Sequence, residues 1–132
     1  MRSRVSSGSP FEDAIGFSRA VRVGNIIAVS GTAPIAEDGS VHAPGDVYRQ
    51  TLRCFEISTA ALADAGAGID SVVRTRIFLT DISRWKEAAQ AHAECFAAVR
   101  PACTFVEVSG FIHPEWLVEI EVDAVVVASA GQ

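Results

Sequence analysis

The sequence predicts an α+β domain in which two helices cover one face of a mixed β-sheet, and three observations carry that reading. A chain of 132 residues with 49% apolar side chains suits one domain with a real core. Stretches rich in Val, Ile and Ala alternate with stretches of helical period, the pattern of mixed α and β layers. In the last of them, from 117 to 127, apolar and acidic side chains alternate with period two, as in a strand with one packed and one polar face.

The elements follow in order. Residues 1–14 contain Ser7-Gly8-Ser9-Pro10 and read as a polar, mobile lead-in, so the folded domain is expected to span 15–132. Residues 18–23 and 26–30 are rich in Val, Ile and Ala around Gly24-Asn25 and predict a hairpin. Between 32 and 45, Pro34, Gly39, Pro44 and Gly45 break any period, giving a loop expected to border a pocket. Asp46 is a plausible N-cap, after which Tyr48, Leu52, Phe55, Thr59 and Leu62 fall at helical spacing until the glycines at 66 and 68 end the pattern.

Residues 71–80 read as a strand interrupted on one face by Arg74 and Arg76. Trp85, Ala88, Ala89, His92, Phe96 and Val99 mark a second helix that Pro101 must end. A strand at 102–108, a loop at 109–116 with Gly110 and Pro114, and the long final strand complete the order β-β-α-β-α-β-β. In that final strand Val118, Ile120, Val122, Ala124 and Val126 point one way, and Leu117, Glu119, Glu121 and Asp123 the other. Two helices cover one sheet face only, and Ile26, Ala28, Phe78, Phe105 and Val127 supply apolar surface beyond what they hide. A closed homo-oligomer is therefore expected.

Composition narrows the function classes. The net charge is −5, and the 11 Lys and Arg are scattered among acids, without the basic stripe that a nucleic-acid partner requires. No apolar run approaches a membrane span, and the N-terminus lacks the apolar core of a signal peptide, so no membrane partner and a cytoplasmic location are expected. Cys54, Cys95 and Cys103 lack paired spacing, and His42, His92 and His113 lack HxH or HExxH spacing. Reduced thiols and no metal are expected.

Function should centre on the last third, where Arg100-Pro101-Ala102-Cys103-Thr104 leads into Val118-Glu119-Ile120-Glu121. Together with IGFSRAV at 15–21, VGNIIAVSG at 23–31, QTLRCFEISTAALADAG at 50–66, VVRTRIFLTD at 72–81, RPACTFVEV at 100–108 and VEIEVDAVV at 118–126, the chain resembles the RidA/YjgF family over 15–127. The resemblance implies a chorismate-mutase-like fold, a homotrimer with a central β-barrel, and small metabolites bound in clefts between subunits. It also implies hydrolysis of enamines or imines to a carbonyl compound and ammonia without a cofactor. Some family members have instead been described as ribonucleases or translation inhibitors.

Carried over by position, the family's glycine-aromatic segment falls on Gly16 and Phe17, its serine-glycine turn on Ser30 and Gly31, and its strand carboxylate on Glu119. Its carboxylate-binding arginine falls on Cys103, beside Thr104; Phe17 replaces a tyrosine, and Ala89 stands where an asparagine is common. A thiol cannot form the two charge-assisted bonds of an Arg fork, so simple 2-imino acids are poor candidate substrates.

Each candidate has a plainer reading. Glu119, the candidate acid-base group, reads otherwise as part of a solvated strand face. Cys103 reads better as a small hydrophobe than as a nucleophile, though it still lines the expected cleft. Arg76 reads first as an ion-pair partner of Glu119, Glu121 or Asp123, and second as a replacement anion anchor. His92 reads as a satisfied semi-buried side chain and Trp116 as a cleft wall or simple packing. The expected function is a RidA-like deaminase for a small metabolite other than simple 2-imino acids. The alternatives are a non-catalytic metabolite-binding or regulatory trimer and, further off, a ribonuclease, for which RNA-binding platforms are lacking.

Overall fold

The structure, a computed structural model, describes residues 2–127. Its elements are β1 (Arg2–Val5), α1 (Pro10–Ile15), β2 (Ala20–Val23), β3 (Ile26–Thr32), α2 (Val47–Asp64), β4 (Val72–Leu79), α3 (Trp85–Phe96), β5 (Ala102–Glu107) and β6 (Val118–Val125). One six-stranded sheet runs β1-β2-β3-β6-β4-β5, antiparallel except for the β4–β5 pair. The last strand in the chain thus lies in the middle, paired with β3 on one side and β4 on the other.

Local chemistry sets the boundaries. Gly24 takes the positive φ of 58° that the β2–β3 turn needs. Asp46 accepts the Arg49 N–H at 2.9 Å and so caps α2. After α3, Arg100 sits at φ 57° and donates its N–H to the Phe96 carbonyl at 2.8 Å, a left-handed stop ahead of Pro101.

The core forms where α2 and α3 meet one sheet face. Phe55 and Leu62 of α2 and Ala88 and Phe96 of α3 are buried with Ile27, Ile77, Leu79, Val118, Ile120 and Val122. Strand β6 alternates between fully and half-buried side chains along its whole length, as its period-two pattern requires.

The expected lead-in is corrected: residues 2–5 pair with β2, and 10–15 form a short helix capped by Ser9 with Pro10 in its first turn. An edge strand needs no apolar face, and six residues are too few to display a helical period. The buried face of α2 also differs from the expected one. Thr59 is exposed, whereas Gln50, Thr51 and Ser58 are buried. Apolar spacing alone cannot register polar residues whose hydrogen bonds are met by backbone, as Thr51 bonds to the Val47 carbonyl at 2.7 Å. Phe105 faces the helices, 6.5 Å edge-on from Trp85, and not the open face; Ile26 and Ala28 do remain exposed there.

Candidate functional site

The site is built where β3 loses register against β6. Their pairing shifts between Val29 and Thr32, which brings Gly31 against the polar face of β6. A Cβ at Gly31 would lie 3.3 Å from Glu119 Oε1, so the carboxylate reaches across bare backbone. Burial pushes the Glu119 carboxyl above its ordinary pKa; nearby Arg19 draws it back, and Glu121 adds to the rise.

Arg19, just ahead of β2, is only 7% exposed. Its Nη1 donates to the Gly31 carbonyl at 2.8 Å and to Thr32 Oγ1 at 3.0 Å, fastening the irregular end of β3. Its Nε lies 3.9 Å from Glu12 Oε2 in a buried ion pair, and its guanidinium carbon sits 5.2 Å from the centre of the Phe17 ring. Burial tends to raise the Glu12 pKa, but the Ser7 hydroxyl and N–H, with Arg19, outweigh it and hold Glu12 below the usual range. Ser7 donates both its N–H (3.1 Å) and its hydroxyl (2.5 Å) to that carboxylate.

Glu119, Gly31, Arg19, Thr32, Phe17 and Ser7 border a cavity of about 510 Å³, within the size range of small-molecule sites. Glu119, Gly31, Phe17 and Trp116 line it with Phe11, Ile112 and the end of the 33–39 loop. Trp116 is buried edge-on against Phe11, with ring centres 6.0 Å apart. Gln50, fully buried, steadies this wall: its Oε1 accepts the Leu117 N–H at 2.9 Å and its Nε2 donates to the Glu115 carbonyl at 3.0 Å. Among the described residues no group of three or more His, Cys, Asp or Glu could hold a metal ion.

The remaining sequence candidates lie elsewhere within one chain. Ser30 donates its hydroxyl to the Ser18 carbonyl at 2.6 Å and, with Gly16, borders a second, more polar hollow behind Phe17. Arg76 is held on the open face by Asp123 at 3.1 Å and Glu121 at 3.6 Å, as its ion-pair reading expects, and does not line the cavity. Cys103 and Thr104 are exposed on β5, separated from β6 by β4; Cys103 is therefore not a buried hydrophobe. His92 bonds to the Thr75 hydroxyl at 2.8 Å and packs on Phe55 and Phe96, its pKa lowered by burial.

Arg19, Glu12 and Phe11 were not legible as site residues. The available signal was a charge at Arg19 inside the Ser18-Arg19-Ala20 start of a strand, flanked by small residues. Its acidic partner lay in a segment that reads as lead-in.

The family model described as Endoribonuclease L-PSP matches residues 9–126. The chain belongs to the RidA/YjgF family. A crystal structure of a YjgF/YER057c/UK114 family member from Mycobacterium tuberculosis superposes with a TM-score of 0.87 at 46% identity, covering 96% of this chain and all of that one. RidA/YjgF membership thus brings the chorismate-mutase-like fold with it. An uncharacterized Streptomyces coelicolor protein is 42% identical over 121 residues, 92% of this chain and 90% of that protein. The 3-aminoacrylate deaminase RutC of Acinetobacter baylyi is 36% identical over 101 residues, 76% of this chain and 79% of its own. No helix among the described residues is long and apolar enough to cross a membrane.

Proposed function

We propose that this protein hydrolyses an enamine or imine to a carbonyl compound and ammonia in the cavity bounded by Glu119, Gly31 and Arg19, without a cofactor. The observation that carries the reading is a carboxyl of raised pKa aimed across a bare glycine into an apolar-walled cavity. Such a group holds its proton closer to neutrality than an exposed carboxyl and can give it up and take it back within one cycle.

The chemistry balances on that one group. Protonated Glu119 delivers its proton to the enamine carbon, leaving an iminium ion beside a carboxylate. The carboxylate then takes a proton from water as the water oxygen bonds to the iminium carbon. The carbinolamine so formed receives that proton on nitrogen, and the C–N bond breaks. Ammonia leaves, the carbonyl forms, and the hydroxyl proton returns to Glu119. One water is consumed for each ammonia released.

Kinship with RutC supports the reaction class, and the thiol at Cys103 supports a substrate other than the simple 2-imino acids. Ammonia release from enamines generated in the assay tests it. Loss of the protein-dependent rate in Glu119→Ala is expected, and equal rates in wild type and variant would overturn the assignment. A second reading, a metabolite-binding trimer without turnover, draws on the same absence of the family's arginine and tyrosine at Cys103 and Phe17. Recovery of a bound enamine-type ligand with its nitrogen intact would favour it. The acidic balance of the chain weighs against ribonuclease activity.

We also propose that the protein assembles as a homotrimer through the open sheet face and acts in the cytoplasm. Ile26, 63% exposed, and Val106, 39% exposed, lie on that face with Ala28, all apolar surface of the kind an interface covers.

A further inference from the structure

Two carboxylates, Glu12 and Glu119, attract the same buried cation, Arg19. The Nη1 of Arg19 donates to the Gly31 carbonyl at 2.8 Å, and Gly31 is the residue across which Glu119 reaches. Yet the ion pair that Arg19 forms among the described residues is with Glu12, at 3.9 Å. Arg19 Nε is sealed from solvent and has no hydrogen-bond partner, so Glu12 meets its charge without satisfying its donor. A buried guanidinium in that condition turns to whichever carboxylate is within reach.

Glu12 is fixed in turn. Ser7 donates its N–H and its hydroxyl to Glu12 Oε2, and the Gly16 and Phe17 N–H groups close on the Glu12 carbonyl at 2.9 and 3.0 Å. With its pKa held below the ordinary value, the Glu12 carboxyl is ionised through the neutral range. Glu12 is 4% exposed and Arg19 7%. The pair is therefore buried inside one chain and does not depend on what a second subunit adds to the cleft.

Building on the deaminase reading, we propose that Glu12 is a positioning residue: by holding Arg19 it keeps that cation from pairing with Glu119 and leaves the Glu119 carboxyl free to take up and release the catalytic proton. A Glu119 bridged to Arg19 would stay ionised, because an opposite charge at contact distance stabilises a carboxylate against protonation. In that state it has no proton to give to an enamine carbon. The other titratable groups around Glu119 are Arg53 and Cys54 of α2, Glu37 of the 33–39 loop, Glu121 of β6 and, beside Glu121, Arg76 of β4. Arg53 lies 3.6 Å from Glu56, Arg76 sits between Glu121 and Asp123, and burial keeps the Cys54 thiol neutral. Among the described residues none of these groups bonds to Glu12, so all are held constant when residue 12 alone is changed.

Carboxyl-carbon NMR of the full-length protein reads the titration of Glu119 directly, with its signal assigned by loss in Glu119→Gln. In Glu12→Gln the Glu119 midpoint is expected to fall by at least about one pH unit, and in Glu12→Gln/Arg19→Gln to return to the wild-type value or above it. The alkaline limb of ammonia release should move down with the midpoint in Glu12→Gln, a change that a merely structural Glu12 would not produce. An unmoved midpoint in Glu12→Gln, or one that stays low in the double variant, overturns the proposal. Urea unfolding shows whether Glu12→Gln folds. If it does not, Glu12→Asp keeps the charge but draws it back from Arg19 by one methylene; a smaller fall is then expected, and no fall overturns the proposal. The two readings fail separately. Midpoints that move as expected without Glu119-dependent ammonia release end the deaminase assignment and leave the role of Glu12 standing, whereas a fixed midpoint beside Glu119-dependent release does the reverse.

Discussion

Glu119 and Gly31 form a pair in which one residue's chemistry depends on the other's lack of a side chain. In Gly31→Ala the new methyl would stand 3.3 Å from Glu119 Oε1, so the carboxylate must move by a few tenths of an ångström. Gly31 has ordinary backbone geometry, and stability is therefore expected to change little. Ammonia release, which depends on the placement of that oxygen, should fall about tenfold or more. The raised pKa of Glu119 has a thermodynamic consequence as well. Below about pH 4, where the carboxyl is protonated in both folded and unfolded chains, it contributes nothing. As pH rises past the unfolded-state value the unfolded chain loses its proton first, so the folded state is increasingly penalised until its own higher pKa is passed, and above that the full penalty remains. Glu119→Gln should accordingly melt at a higher temperature than wild type at pH 7, with the gap closing towards pH 4. A variant less stable than wild type at pH 7 would count against a desolvated carboxyl. In the ammonia assay the same substitution should cost about 10²- to 10⁴-fold, the usual range for a positioned acid-base group.

Helix α2 shows how an element carries a site it does not chemically join. Its N-cap and its glycine stop were legible because capping is local chemistry, readable within a few residues. Its polar buried positions were not legible, because Gln50 is satisfied by Glu115 and Leu117, which lie more than sixty residues away. Gln50→Leu keeps the shape but leaves the Leu117 N–H and the Glu115 carbonyl without these bonds. A loss of about 1–3 kcal/mol in urea unfolding is expected. Because these bonds hold the backbone on either side of Trp116, ammonia release should also fall in the same variant. Undiminished stability would mean that the wall does not depend on this clamp. Strand β6 is the opposite case, since its alternation from Val118 to Ala124 specified both faces before any partner was known.

At the scale of the whole molecule, the uncovered sheet face sets the expected assembly. Sedimentation of the wild type at micromolar concentration should show a trimer. Ile26→Glu, which places a charge on a side chain 63% exposed in the single chain, should shift it towards monomer without lowering the helical signal of the fold. A wild type that remains monomeric would remove the proposal. The family's folding pattern was evident from ordered segments spread across nearly the whole chain. The cavity was only partly evident: Phe17, Gly31, Trp116 and Glu119 were legible by position, whereas Phe11 and Arg19 became site residues only once α1 and β1 proved to be ordered elements.

The sequence by itself determined the order of the elements from β2 to β6 and which face of β6 is acidic, because period, capping and turn chemistry act over a few neighbouring residues. It also placed a carboxyl at 119 and a thiol at 103. Only the tertiary structure decided that Glu119 faces a bare glycine and is partly desolvated. It alone showed Arg76 bound to Asp123 and Glu121 and Arg19 bound to Glu12, leaving Cys103 two strands from the cavity. These facts depend on which charges meet and how much water reaches them, and contacts between residues distant in the chain set both.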